Sequence, residues 1–211
     1  MAAREGHAQN LRNSFLLFAP SLDAPIDILV TTSAERRKSS LITPRLWSGD
    51  IAAESIVPIA DGLCVASPAF ALQQVIARVG LVRGLMMASE LCGSFAVYEP
   101  PRCISSLLEG LINSPDPLVA RKAHKALRQQ GGWEPLIESN RLTGLWSRPA
   151  LLEPHELERI SETGGSARGR ATSLKVASLV KPGAASPLEA QAGILLGLSR
   201  RLGGEGFLDF E

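Results

Sequence analysis

Few residues in this chain have a type and spacing that could do chemistry. Between Asp116 and Gln130 the helical period places Arg121, His124, Lys125 and Arg128 on one face, with Val119, Ala120, Ala123, Ala126 and Leu127 opposite. A stripe of this kind is either an ordinary solvated face or a phosphate contact. In the second case Arg121, Lys125 and Arg128 neutralise about three phosphates. Ser186-Pro187-Leu188-Glu189 has capping-box spacing, in which the serine and the glutamate satisfy each other's free backbone amides at a helix start. Gly193 and Gly197 follow on the same helix, each costing roughly 1 kcal/mol relative to alanine, which implies that something approaches that face closely. Arg36-Arg37-Lys38 reads as a solvated turn, with a phosphate contact as the alternative. His7, His124 and His155 show no ligand spacing. Cys64, Cys92 and Cys103 are odd in number, far apart and in no C-x-x-C pair, which argues against both a disulfide framework and a zinc site. Gly203-Gly204-Glu205-Gly206 follows a helix instead of opening one, so it is a C-cap and turn and not a phosphate-cradling loop.

The elements that must position these residues predict an α+β fold. At 211 residues and 45% hydrophobic content the chain can build a real core. A net charge of +1 supplies no global field, so any nucleic-acid contact has to come from a local patch. From Pro25 to about Ala66 the pattern is strand-like and predicts a small, mostly antiparallel sheet. Ser67-Pro68 opens a helix to about Val79, and Gly80 separates it from a second helix over Leu81 to Tyr98. Further helices are predicted over Ile104 to Asn113, from Asp116 to Gln130, over Glu153 to Glu162, over Arg168 to Lys181 and from Ser186 to Leu202. Gly131 to Ala150 reads as irregular, with Trp133 and Trp146 pinning it to the core, and Phe207 to Glu211 as a strand just begun. The apolar runs Phe15 to Pro20 and Leu81 to Tyr98 are too short or too polar for a secretory segment or a membrane span, so a cytoplasmic location and no membrane partner are expected.

Cys64-Val65-Ala66-Ser67-Pro68 followed by Glu90-Leu91-Cys92-Gly93, then Gly169-Arg170-Ala171, then Ser186-Pro187-Leu188-Glu189 through Gly203-Gly204-Glu205-Gly206, form an ordered series. In that order they resemble a group of bacterial proteins in which an accessory domain precedes an endonuclease domain similar to the very-short-patch-repair enzymes, within the PD-(D/E)xK nucleases. The resemblance implies three regions: an accessory α+β domain over 1–100, a helical connector over 101–183, and the start of a nuclease-like domain over 184–211. It maps a metal-proximal glutamate of the family onto Glu189. Intact relatives then use an aspartate and an acidic-x-lysine pair on a following hairpin to hold Mg²⁺ and activate water. This chain ends before such a hairpin, and no lysine follows Lys181, so the nuclease half reads as truncated.

Two functions are compatible with this reading. One is a remnant of a nuclease-related DNA-processing or defence protein, inactive as given and without a cofactor of its own. The other is a non-catalytic DNA- or protein-binding module similar to antitoxin-type regulators. With the nuclease core truncated, the apolar C-terminal helix is expected to fold back on the connector helices, or to stay exposed and drive association with a partner or a second copy.

Overall fold

The computed structural model describes residues 25–100, 102–129, 132–163 and 168–207. Helices and small sheets alternate along it, and the α+β class expected from the sequence is what it shows. The chain divides after Ser48 into two compact units; the boundaries expected at 100 and 183 both fall inside the second.

The first unit contains β1 (Ile26–Val30) and β2 (Ile42–Leu46), paired in parallel from Ile26 opposite Ile42 to Val30 opposite Leu46. Arg45 Nε donates to Asp27 Oδ1 across the pair at 2.9 Å. A parallel pair needs a return crossover, and residues 31–41 provide it. Arg36, Arg37 and Lys38 lie exposed in that crossover, as their solvated-turn reading required. The single, mostly antiparallel front sheet is not what forms. β1 and β2 make one parallel pair, and β3 (Ile56–Ala60) and β4 (Leu63–Ala66) make a separate antiparallel hairpin in the second unit.

The second unit is organised around α1 (Pro68–Leu91). Ser67 caps it, its Oγ accepting from Phe70 N–H, and Pro68 takes the first turn, where a missing amide costs nothing. Gly80, at φ 78°, breaks the helical path, so two helical stretches meet there as the sequence implied. Length and composition make α1 the one described helix apolar enough to cross a membrane. It packs here against α4 (Pro154–Thr163) and α5 (Arg170–Leu179), with Phe70, Ile76, Leu85, Leu157 and Val176 fully buried.

Three expectations change. The second helical stretch ends at Leu91, not Tyr98, and Phe95–Val97 is a strand, β5. The segment read as irregular, and as part of a helical connector, contains β6 (Glu134–Glu138) and β7 (Arg141–Ser147), which join β5 in an antiparallel sheet of order β5-β7-β6. Trp133 and Trp146 do pin it: their rings meet edge-on at 6.2 Å, and Trp146 Nε1 donates to Tyr98 O at 2.9 Å. The C-terminal helix, α6 (Pro187–Gly197), stops five residues early because Leu198 turns extended, and it packs on α1. Leu188 and Leu195 remain exposed on its outer side. The strand expected over 207–211 and the N-terminal run 15–20 lie outside the described residues, except for Phe207, which is in no strand.

Cys92, just past the end of α1, is 2% exposed. Burial first, then the nearby charges of Glu153 and Glu156, push its thiol from the ordinary 9.0 to about 11, against a smaller opposing pull from Arg148. The folded value lies above the unfolded one. The stability linked to a neutral Cys92 is therefore fully present below pH 9.0 and is lost as pH rises toward about 11. Two pK steps correspond to a loss on the order of 3 kcal/mol. Urea titrations across this range should show a steeper alkaline decline in the native protein than in Cys92→Ala. Parallel declines would show that this thiol contributes nothing.

Candidate nucleic-acid interface

Between the strands of the three-stranded sheet lie α2 (Arg102–Ile112) and α3 (Pro117–Gln129). Asp116 starts α3 as the sequence suggested: its Oδ1 accepts from Leu118 N–H at 2.8 Å and its backbone carbonyl from Ala120 N–H at 3.1 Å. Val119, Ala120 and Ala123 are half-buried, and α3 packs on α2 and β6. That fixes which face looks outward. Arg121 and Lys125 are exposed on it, as expected; His124 is half-buried at its margin, and the side chain of Arg128 lies outside the described residues. Ala126, assigned to the inner face, is exposed.

The sequence reading missed two members of this face. Lys122 is exposed, and Leu118 is 65% exposed. At 100° per residue Leu118, Lys122 and Lys125 form one stripe along the helix, with Arg121 beside it. Centring the wheel on Leu118 instead of Arg121 would have found both. Among the described residues no carboxylate pairs with Arg121, Lys122 or Lys125. The charge is also concentrated locally: residues 102–147 hold six basic residues against four acidic ones, so this stretch carries +2 while the whole chain carries +1.

Glu189 is placed differently. It sits exposed in the first turn of α6, its N–H donating to Ser186 Oγ at 3.2 Å while its Oε2 accepts from Ala185 N–H at 2.8 Å. The serine arm of the expected capping box is present; the glutamate arm differs, since the carboxylate accepts from the residue before the cap and not from Ser186 N–H, but it is still engaged in holding the helix start. A Cβ added at Gly193 would meet nothing within 4 Å, so the close approach expected there is not found at that position. Asp209 and Glu211 lie outside the described residues. Among the described residues no three His, Cys, Asp or Glu side chains are grouped to hold a metal ion.

Glu189 and the cationic face are thus separate features. One secures a helix terminus; the other is an open, unneutralised surface on a helix whose opposite side is packed. No protein-family model, curated protein or solved structure matches this chain.

Proposed function

We infer that the protein is a non-catalytic nucleic-acid-binding module, acting in the cytoplasm through the outer face of α3. The observation that carries this reading is the exposed set Arg121, Lys122 and Lys125, which no carboxylate of the described residues neutralises. Cations held on a rigid helix and left unpaired bind phosphates by releasing condensed counterions, and that term is strong without being sequence-dependent. The capping engagement of Glu189 supports a binding role over a hydrolytic one.

The experiment is a fluorescence anisotropy titration of labelled oligonucleotides over a range of salt. Affinity should fall with salt at a log-log slope of about −2 to −3, as expected for two to three neutralised phosphates. Replacing Arg121, Lys122 and Lys125 together with serine should flatten that slope. Binding that ignores salt, or that survives the triple replacement, removes α3 as the contact.

A further inference from the structure

α2 and α3 are organised by more than charge. α2 ends at Ile112, the turn Asn113–Asp116 follows, and α3 begins at Pro117 packed against α2. In helix-turn-helix units that read DNA, the second of two such helices lies in the major groove with its first residues at the base edges, while the first helix crosses the backbone. Here the opening turns of α3 present Leu118 amid Arg121, Lys122 and Lys125. Leu118, 65% exposed at the N-terminal end of this face, sets an apolar side chain beside the cations where a helix entering a groove meets the base edges. In the major groove, an apolar side chain meets the thymine methyl, and an arginine matches guanine O6 and N7.

The β6–β7 hairpin is fixed beside this pair. Ser139 and Asn140, at φ 49° and 64°, form its tight two-residue turn. Asn113, in the turn between the helices, donates from Nδ2 to Asn140 O at 2.8 Å, and Glu109 Oε1 on α2 accepts from Leu142 N–H at 3.0 Å. The tip therefore stands at the same end as the start of α3, with Arg141 exposed directly after it.

We propose that α2, α3 and the β6–β7 hairpin form a unit that reads duplex DNA by sequence, with α3 in the major groove, Leu118 and Arg121 at base edges, Lys122 and Lys125 at phosphates, and Arg141 on the flanking backbone. The proposal rests on the nucleic-acid reading above and adds which nucleic acid is bound and how it is recognised.

The test is selection of binding sites from random-sequence duplexes by the full chain, followed by methylation interference on the enriched site. The expected result is an enriched motif in which methylation at guanine N7, on the major-groove edge, blocks binding. Arg121→Ala should weaken binding to that motif by roughly five- to a hundredfold while sparing random duplex much more, the discrimination of one good base contact. Leu118→Ser should relax the preference at a single thymine, whereas Lys122→Ser should weaken motif and random duplex alike. Circular dichroism melts confirm that each variant is folded, and the exposed positions of all three keep that control simple. Salt-dependent duplex binding with no enriched motif overturns this proposal and leaves the nucleic-acid reading standing. A preference for single strands or RNA overturns it in the same way, and no binding to any nucleic acid overturns both.

Discussion

Gly93→Ala should be among the most damaging small substitutions in the chain. A Cβ at position 93 would lie 2.5 Å from Ala184 O and 2.6 Å from Ser89 O, and both of those atoms are backbone, so no side chain can swing aside to make room. The loop around Gly93 is tied on both sides. Ser94 N–H donates to Ala184 O at 2.8 Å, Gly183 N–H donates to Cys92 O at 3.1 Å, and Arg148 N–H donates to Ser94 O at 2.9 Å. A methyl group would have to open this junction between the end of α1, the segment before α6 and the sheet. Overpacking against immovable atoms costs at the upper end of the usual range, about 3 kcal/mol or more, which lowers the melting temperature of a unit this size by roughly 6–12 °C. Gly193→Ala is the matched comparison. The same methyl meets nothing within 4 Å there, and in a helix interior it should stabilise by about 0.5–1 kcal/mol. Thermal melts that rank the two variants equally would show that the contacts at Gly93 are not what hold the junction.

That contrast shows where the sequence could be read and where it could not. Local signals were reliable: Ser67-Pro68, Asp116-Pro117 and Ser186-Pro187 each start a helix where their capping chemistry demands, and Gly80 breaks α1 where the pattern broke. The β6–β7 hairpin stayed hidden because Pro135 and Gly144 interrupt the alternation that announces a strand. Both are tolerated for reasons only the sheet supplies. Pro135 lies on the edge strand, where one missing amide is harmless, and Gly144 takes φ 78° in the central strand while its carbonyl accepts from Tyr98 N–H. The glycines of α6 misled in the other direction. Their helix cost is real, but the face at Gly193 is open, so a propensity argument could not stand in for a packing one. The cationic stripe on α3 was legible from period alone, yet Lys122 and Leu118 joined it only once α2 and β6 fixed which side of the helix is covered.

The second large effect is expected at Arg148, on the same junction. This side chain is 3% exposed, and its guanidinium is shared among backbone carbonyls: Nη2 donates to Glu90 O at 2.7 Å, and Nη1 to Pro149 O at 2.8 Å and Gly93 O at 3.4 Å. Its central carbon lies over the Trp133 ring, 5.7 Å from the centroid, so an aromatic face also meets the cation. Burial pulls its pKa below the ordinary guanidinium value, and the charge of Glu90 opposes that pull. The cation is held where carbonyls gather at the C-terminal end of α1, and it adds a short bond to Glu90 O, which otherwise accepts from Cys92 N–H and from Gly93 N–H at 3.2 Å. Arg148→Met keeps much of the volume but removes the guanidinium donors from Glu90 O, Pro149 O and the buried Gly93 O, leaving Glu90 O only its backbone donors, which should cost about 2–4 kcal/mol. Arg148→Lys should recover little, because a single ammonium cannot span acceptors that the guanidinium fork reaches separately. Urea midpoints would measure both, with an unchanged denaturant slope confirming that only stability moved. Gly93→Ala and Arg148→Met act on one set of hydrogen bonds, so the double variant should lose less than the two single losses combined. Full additivity, or an Arg148→Met protein within about 1 kcal/mol of the native one, would mean that the arginine only fills space there and that the end of α1 is held by other contacts.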